Sequence, residues 1–528
     1  MDNEIKQIEV KYFKWLTIEE LISAFIIFVI GIVIYYQMAV DWLTNPDTVW
    51  NALYVRVGHG SEKNGGRILQ IVMDWLRGGV VTPVLMLAIS LIILTLISLI
   101  ISRLFELEHD IISQVIIGFL VLFVPCTSSA LTFYYCSDSF QLSFLCVILG
   151  IYLIHRYDTY KSNIIALILF TASLFFYQAY ICIVFTVCAF WLVLDSVRKQ
   201  FRSSIKEVIR LGSLGAISCV MYAVLFKIFR IIFHIEIQDR MGVDTSFSIN
   251  GVIASVGKAL SKFWDYFFTN NLYHNDFGYR NIINICIWII VFIMLAYGIV
   301  INIDDKKYQR LISVLAGILI LPMATTAIVV MAPKIEATVT MLPTMEFIYI
   351  LPLILSKEIL KTENIKKFDI IKKMTYIIIA LLIWNFLIFT NLCISSMKMR
   401  LNKTESVATL MLNQIVETVG YNSDYKLLVS GAMEDGNFPD VYADKLSLVD
   451  GTYAEYGYMW HNFYANEECW INFLKQYRGI GFQSCSTEEY EEFLNSDIYE
   501  QMPIFPESGS VVQWNGMVVV KMSDVKLD

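Results

Sequence analysis

Residues 164–194 read IIALILFTASLFFYQAYICIVFTVCAFWLVL, thirty-one positions without a charge. As one helix they would be about 46 Å long, against about 30 Å of bilayer hydrocarbon. The stretch is therefore too long for a single upright span. Tyr177 and Gln178 sit near its middle, so the reading is two spans that meet in a hairpin there. Working outward by the same length rule gives spans near 18–40, 81–102, 111–126, 138–155, 162–178, 179–195, 208–233, 281–302, 309–331, 340–356 and 373–396, about eleven in all. The fold class is mainly α, a polytopic transmembrane helical bundle.

Composition agrees. Of 528 residues, 57% are hydrophobic and 17% charged, where soluble proteins carry about 25% charge. An ordinary soluble enzyme, a disordered chain and a basic nucleic-acid-binding protein are excluded, so membrane lipid is an expected partner and nucleic acid is not. Ten cysteines over this length do not form a disulfide scaffold. Charge is unevenly spread. From Lys398 onward there are 9 Lys+Arg and 20 Asp+Glu, a net of −11, leaving 31 against 28 elsewhere. Residues 1–396 thus read as the transmembrane domain and 397–528 as a small C-terminal extracytoplasmic α/β domain. Within the latter, Lys426–Val429 and the two apolar runs around Asn515-Gly516 predict strands, the last pair a hairpin with a type I′ turn.

Orientation follows from Lys and Arg. Acidic residues precede the first segment and no small-residue cleavage site follows it, which makes it a span rather than a cleaved signal. Loops placed inside by a cytoplasmic N-terminus carry 20 Lys+Arg, and the outside loops, the tail excluded, carry 9. The positive-inside rule supports that topology, and an odd span count puts the tail outside. The longer loops, about 41–80 and 234–280, then lie on the outer face. Chemistry is expected there.

Loop one holds most of the polar candidates. Asn45-Pro46-Asp47 predicts a helix start, Asn45 capping and Pro46 in the first position. Asp47 either caps that helix or serves as a catalytic base at the membrane surface. Gly65-Gly66-Arg67 opens a second helix on which Arg67, Gln70, Asp74 and Arg77 share one face. Such a stripe is either solvated or suited to gripping a lipid phosphate. Asp138, in Tyr135-Cys136-Ser137-Asp138-Ser139, stands at the outer end of a span, where an ionisable group marks a site or a watery cavity. Tyr177 and Gln178 form the hairpin tip. Arg280 and Lys334 are cations at outer span ends, as snorkelling anchors or phosphate contacts. Walker, GxGxxG, HExxH, CxxC and GxSxG patterns are missing, no two of the six histidines share metal-ligand spacing, and no Asp-x-Asp in the outer loops demands a metal.

Three features together resemble the Gtr-type-II glucosyltransferase family of bacterial membrane proteins, within the GT-C class: an outer-loop acid followed by Gly65-Gly66-Arg67, the Tyr135-x-x-Asp138-Ser139 pattern opening a span, and Ser173-Leu-Phe-Phe-Tyr177-Gln178 in a helical hairpin. The resemblance covers roughly residues 40–400. Met502-Pro503…Pro506-Glu-Ser-Gly-Ser510 before a Val-rich strand resembles tails of Gram-positive members. The resemblance implies a multi-pass bacterial cell-membrane enzyme with a GT-C-like fold. It would move a sugar, glucose being expected, from a polyprenyl-phosphate carrier to a cell-surface polysaccharide on the outer face. The lipid-linked sugar is then the donor and the polysaccharide the acceptor, with no certain cofactor and the need for a divalent metal left open. Asp47 and Asp138 would be catalytic, with Arg67, Arg280 and Lys334 on the donor phosphate. Asp74, Arg77, Tyr135, Tyr177 and Gln178 would line the site. The chain departs from the family in having Asn45-Pro46-Asp47 where paired acids are expected, and Lys334 where an Arg is usual. A polysaccharide polymerase or ligase, and a lipid or polysaccharide flippase, are the alternative readings.

Overall fold

The computed structural model describes residues 16–51, 60–198, 201–235, 249–269, 279–301, 307–331, 338–362, 366–433, 435–442 and 463–527. Its helices, in chain order, are α1 (Ile18–Val40), α2 (Pro46–Asn51), α3 (Gly60–Asn64), α4 (Ile68–Leu76), α5 (Pro83–Leu104), α6 (Ile111–Phe123), α7 (Pro125–Leu131), α8 (Ser137–Arg156), α9 (Tyr160–Phe176), α10 (Cys182–Arg198), α11 (Phe201–Phe233) and α12 (Ile249–Trp264). There follow α13 (Arg280–Ile301), α14 (Lys307–Thr325), α15 (Ala327–Met331), α16 (Pro343–Phe347), α17 (Leu351–Thr362), α18 (Lys366–Thr418), α19 (Phe463–Phe473), α20 (Thr487–Leu494) and α21 (Asp497–Gln501). Thr17 and Glu20 close a capping box on α1, and Asp110 caps α6 through the Ser113 amide. Proline at the first position opens α5 and α7.

Among the described residues eight helices are long and apolar enough to cross a membrane, nine if one bent pair counts as a span. The expected eleven is therefore not what the helices give, and the differences have local causes. The expected 111–126 span is α6 and α7, bent by 54°. Val124 is extended there and Pro125 has no amide to continue the ladder. The 340–356 segment is not one helix. Pro343 opens the short α16, a 3₁₀ turn covers Ile348–Ile350, and α17 begins at Leu351. The hairpin in 164–194 is present: α9 stops at Phe176 after 17 residues, a 3₁₀ turn spans Gln178–Ile181, and α10 follows. Phe25, Val33, Ile312 and Leu319 stay exposed, as side chains facing lipid would.

The two ends of the bundle differ. At one end Arg103 pairs with the fully buried Glu20, Arg210 with Asp158 (2.9 Å) and Lys372 with Asp110 (2.9 Å). At the other end lie α2, α4, the start of α8 and the α9–α10 turn. Helix α18 starts at the first end, where it carries Lys372, and runs past the second without interruption for 53 residues, because its sequence contains neither glycine nor proline.

The C-terminal unit beyond α18 is a four-stranded sheet in the order β2-β1-β4-β3, from β1 (Lys426–Ser430), β2 (Gln483–Ser484), β3 (Val511–Trp514) and β4 (Met517–Lys521). β1 runs parallel to β2 and β4, and β3–β4 is the expected hairpin. Asn515 and Gly516 both take positive φ, as a type I′ turn requires. Cys469 and Cys485 are both free thiols. Glu467 of α19 accepts the Cys485 amide (2.6 Å) and thiol (2.8 Å). Burial lifts its carboxyl from 4.5 to about 7, and Glu468 and Glu489 nearby push the same way against those two bonds. The fold thus favours the protonated acid, so the unit loses stability as pH rises from about 4.5 through about 7. The loss amounts to up to about 3 kcal/mol. In Glu467→Gln this slope flattens, a result read from unfolding midpoints of the C-terminal unit between pH 5 and 8.

Candidate active site

Among the described residues loop one folds as three short helices, α2, α3 and α4. In α2, Asn45 caps the start, accepting the Thr48 amide at 2.9 Å. Thr132, in the connection after α7, anchors the same helix. Its hydroxyl accepts from Asn45 Nδ2 (2.9 Å), and its carbonyl accepts the hydroxyls of Thr44 (2.8 Å) and Thr48 (3.2 Å). Asp47 is half-buried in the first turn. Asp138 lies six residues beyond Thr132, in the first turn of α8.

The stripe on α4 is not solvated. Gln70 and Asp74 are buried, while Trp75 and Leu76 on the opposite side are 77% and 63% exposed. This helix is turned with its polar face inward and its apolar face out, the orientation for a helix against lipid. At its end the Arg77 guanidinium joins three segments. It pairs with Asp74, with Asp138 (2.6 Å), and donates to the Tyr135 carbonyl (2.7 Å). Asp138 is 1% exposed, and its second oxygen accepts the Ser139 amide at 2.7 Å. Two carboxyl groups share one cation here.

Arg67 stands at the head of α4, with its guanidinium 4.9 Å from the centre of the Tyr177 ring. This is a cation–π distance. Tyr177 in turn packs on Phe140, two residues after Asp138, at 4.4 Å. Gln178 donates to the Gly65 carbonyl (2.8 Å) and to the Tyr222 hydroxyl (2.7 Å). Gly66 is at φ +72, and an added Cβ would collide with that hydroxyl. Only glycine fits the turn.

The structure therefore gathers Asp74, Arg77, Tyr135 and Asp138 into one cluster and sets Arg67, Tyr177 and Gln178 beside it. Thr132, six residues before Asp138, holds the helix that carries Asp47 through Thr44, Asn45 and Thr48. Arg280 is held against α18, bonded to Asn385 (3.0 Å) between the Phe386 and Phe389 rings. Lys334 lies outside the described residues. Several polar atoms in the gathered region are buried with no hydrogen-bond partner in the protein: Arg67 Nε, Arg77 Nε, Gln70 Oε1 and both amide atoms of Gln141. Buried groups of this kind are rare. Gln141 is one turn after Asp138 and was not among the sequence candidates; its position three residues on, across the same face of a span, was the available signal.

Glu346 was also missed. It is buried in α16 and accepts the Cys126 amide at 3.1 Å, where the α6–α7 bend exposes it. An acid within the apolar run 339–355 was signal enough. Among the described residues no group of three or more His, Cys, Asp or Glu side chains is placed to hold a metal ion. Removing the shared cation should be costly, because it strands two buried carboxylates. Arg77→Met is expected to lower stability by about 3–5 kcal/mol. The triple variant Arg77→Met/Asp74→Asn/Asp138→Asn should recover most of it, checked by thermal unfolding in detergent.

Comparison with protein families matches the chain to the one described as Glucosyl transferase GtrII, over residues 51–353. Comparisons with curated proteins and with solved structures give no match. The matched region is more than half of the chain and contains every described site residue named above from Arg67 to Glu346; Asp47 and the C-terminal unit fall outside it. With the order of motifs and the helical bundle both in place, this chain belongs to the GtrII glucosyl transferase family.

Proposed function

We propose that the chain transfers a sugar, glucose in keeping with its family, from a polyprenyl-phosphate carrier to a cell-surface polysaccharide at the outer face of the bacterial membrane. The observation that carries the reading is the set of buried polar atoms without protein partners, Arg67 Nε, Gln70 Oε1 and the Gln141 amide. They lie behind a helix whose other face, Trp75 and Leu76, is exposed. A donor with a prenyl tail and a phosphate-linked sugar has the matching anatomy. The tail lies in lipid along the apolar side, and the head reaches past the helix to the polar groups.

Orientation is argued from charge. The end of the bundle with Arg103, Arg210 and Lys372 is the basic one, which the positive-inside rule assigns to the cytoplasm. The site and the C-terminal domain then face outward.

In this reaction Asp47 takes the proton from the acceptor hydroxyl as its oxygen attacks the anomeric carbon. The bond from that carbon to the phosphate oxygen breaks, and the electron pair leaves with the phosphate. Arg67 meets the charge that develops there, an interaction worth about 3–4 kcal/mol for one well-placed donor. Tyr177 holds the guanidinium in place from its face. Asp138 is bound to Arg77. Its part is to fix Arg77 and the Tyr135 carbonyl along one wall of the site. Arg280 and Lys334 remain further candidates for the phosphate.

Reconstitution with radiolabelled polyprenyl-phosphate-glucose and cell-surface polysaccharide tests this. Asp47→Asn should lose transfer about 100-fold or more with the donor KM little changed. Arg67→Ala should lose about 100-fold in kcat. Undiminished transfer in both variants, or movement of intact donor across the bilayer without transfer, would remove the reading.

A further inference from the structure

The family match ends at residue 353, yet the C-terminal domain touches loop one directly. Its helix α19 packs on α2, the helix that carries Asp47, across more than 400 positions of sequence. Glu468 accepts the Trp50 indole N–H, and Asn472 Nδ2 donates to the Trp50 carbonyl at 2.9 Å. The Tyr477 hydroxyl donates to the Trp42 carbonyl, on the other side of α2, at 2.9 Å. The Cys469 thiol sits 4.0 Å from the Pro46 carbonyl. Both ends of a six-residue helix are thereby held from above, while Thr132 holds it from below.

Helix α19 is itself braced. Trp470 and Phe473 are fully buried, Asn466 bonds the Gly431 carbonyl, and Arg478 just beyond donates to the Glu405 carbonyl of α18 at 2.7 Å. A six-residue helix has too few backbone bonds to keep its own geometry. Its position is therefore set by what clamps it.

We propose that the C-terminal domain is a working part of the transferase, in which α19 clamps α2 and Glu468 is the positioning residue for Asp47. This rests on Asp47 being the base, as proposed above. Glu468 acts on the geometry of α2: its bond to Trp50 fixes the turn that follows Asp47. Burial raises the thiol of Cys469, and Asp47 and Glu468 push it up further.

The test uses the full chain in proteoliposomes, with radiolabelled polyprenyl-phosphate-glucose and cell-surface polysaccharide. Glu468→Ala and Trp50→Phe should each lower kcat by about 10- to 100-fold, the scale of a misplacement of about 1 Å, with the donor KM unchanged. Glu468→Gln keeps an acceptor for the indole and removes the charge. It should retain most of kcat. Glu492→Ala, exposed on α20, should match wild type. Thermal unfolding of each variant confirms that it is folded. The proposal is overturned if Glu468→Ala and Trp50→Phe stay within twofold of wild type while Asp47→Asn is inactive. Full activity in Asp47→Asn would instead remove the base, and with it the reading on which the clamp rests.

Discussion

Arg77 satisfies three acceptors that the sequence places far apart: Asp74 on its own helix, and Asp138 and the Tyr135 carbonyl across the α7–α8 break. None of the three tolerates burial alone. A carboxylate at 1% exposure has lost its water, and only a close cation with good hydrogen bonds offsets that loss. The guanidinium is suited to the task because its planar fork reaches several acceptors at once. The consequence is geometric. Once Arg77 is seated, α4 can lie in only one rotation, with Gln70 and Arg67 inward and Trp75 and Leu76 outward. The rest of the site is built on that rotation.

The bundle supports this arrangement by breaking its helices where polar groups are needed. Pro125 frees the Cys126 amide, and Glu346 on the equally short α16 accepts it. The α9–α10 turn brings Tyr177 to Arg67 and Gln178 to the Gly65 carbonyl. Irregular backbone of this kind is tolerated at membrane depth only where protein surrounds it. All of these groups are well buried or half-buried inside the bundle.

Much of this was legible in the sequence, and what was not has physical reasons. Eight of the expected spans, the split of 164–194 at Tyr177 and the Asn515-Gly516 hairpin follow from local rules of length, polarity and turn chemistry, and the described residues show them. Asp74, Arg77 and Asp138 were each visible as candidates, but a stripe of polar residues on a short helix has the same pattern whether it faces water or the protein. Only the exposed Trp75 and Leu76 show which. The count of eleven spans came from hydropathy, which registers apolar runs and is blind to the prolines that divide them into pieces too short to cross. Gln141 and Glu346 were overlooked because each is a single polar letter in an apolar run. The contact between Trp50 and Glu468 had no local signal at all, since it joins two segments through the fold.

The uninterrupted α18 has a mechanical meaning. At 1.5 Å per residue it is about 80 Å long, and about 30 Å of that suffices for the hydrocarbon. Its last part, residues 397–418, is a stiff shaft about 33 Å long, held to the C-terminal unit through Gln414 to the Pro506 carbonyl and Arg400 to Asp440. Helices tilt when the thickness of the surrounding lipid changes, and a shaft about 30 Å long turns a tilt of about 10° into about 5 Å of travel at its far end.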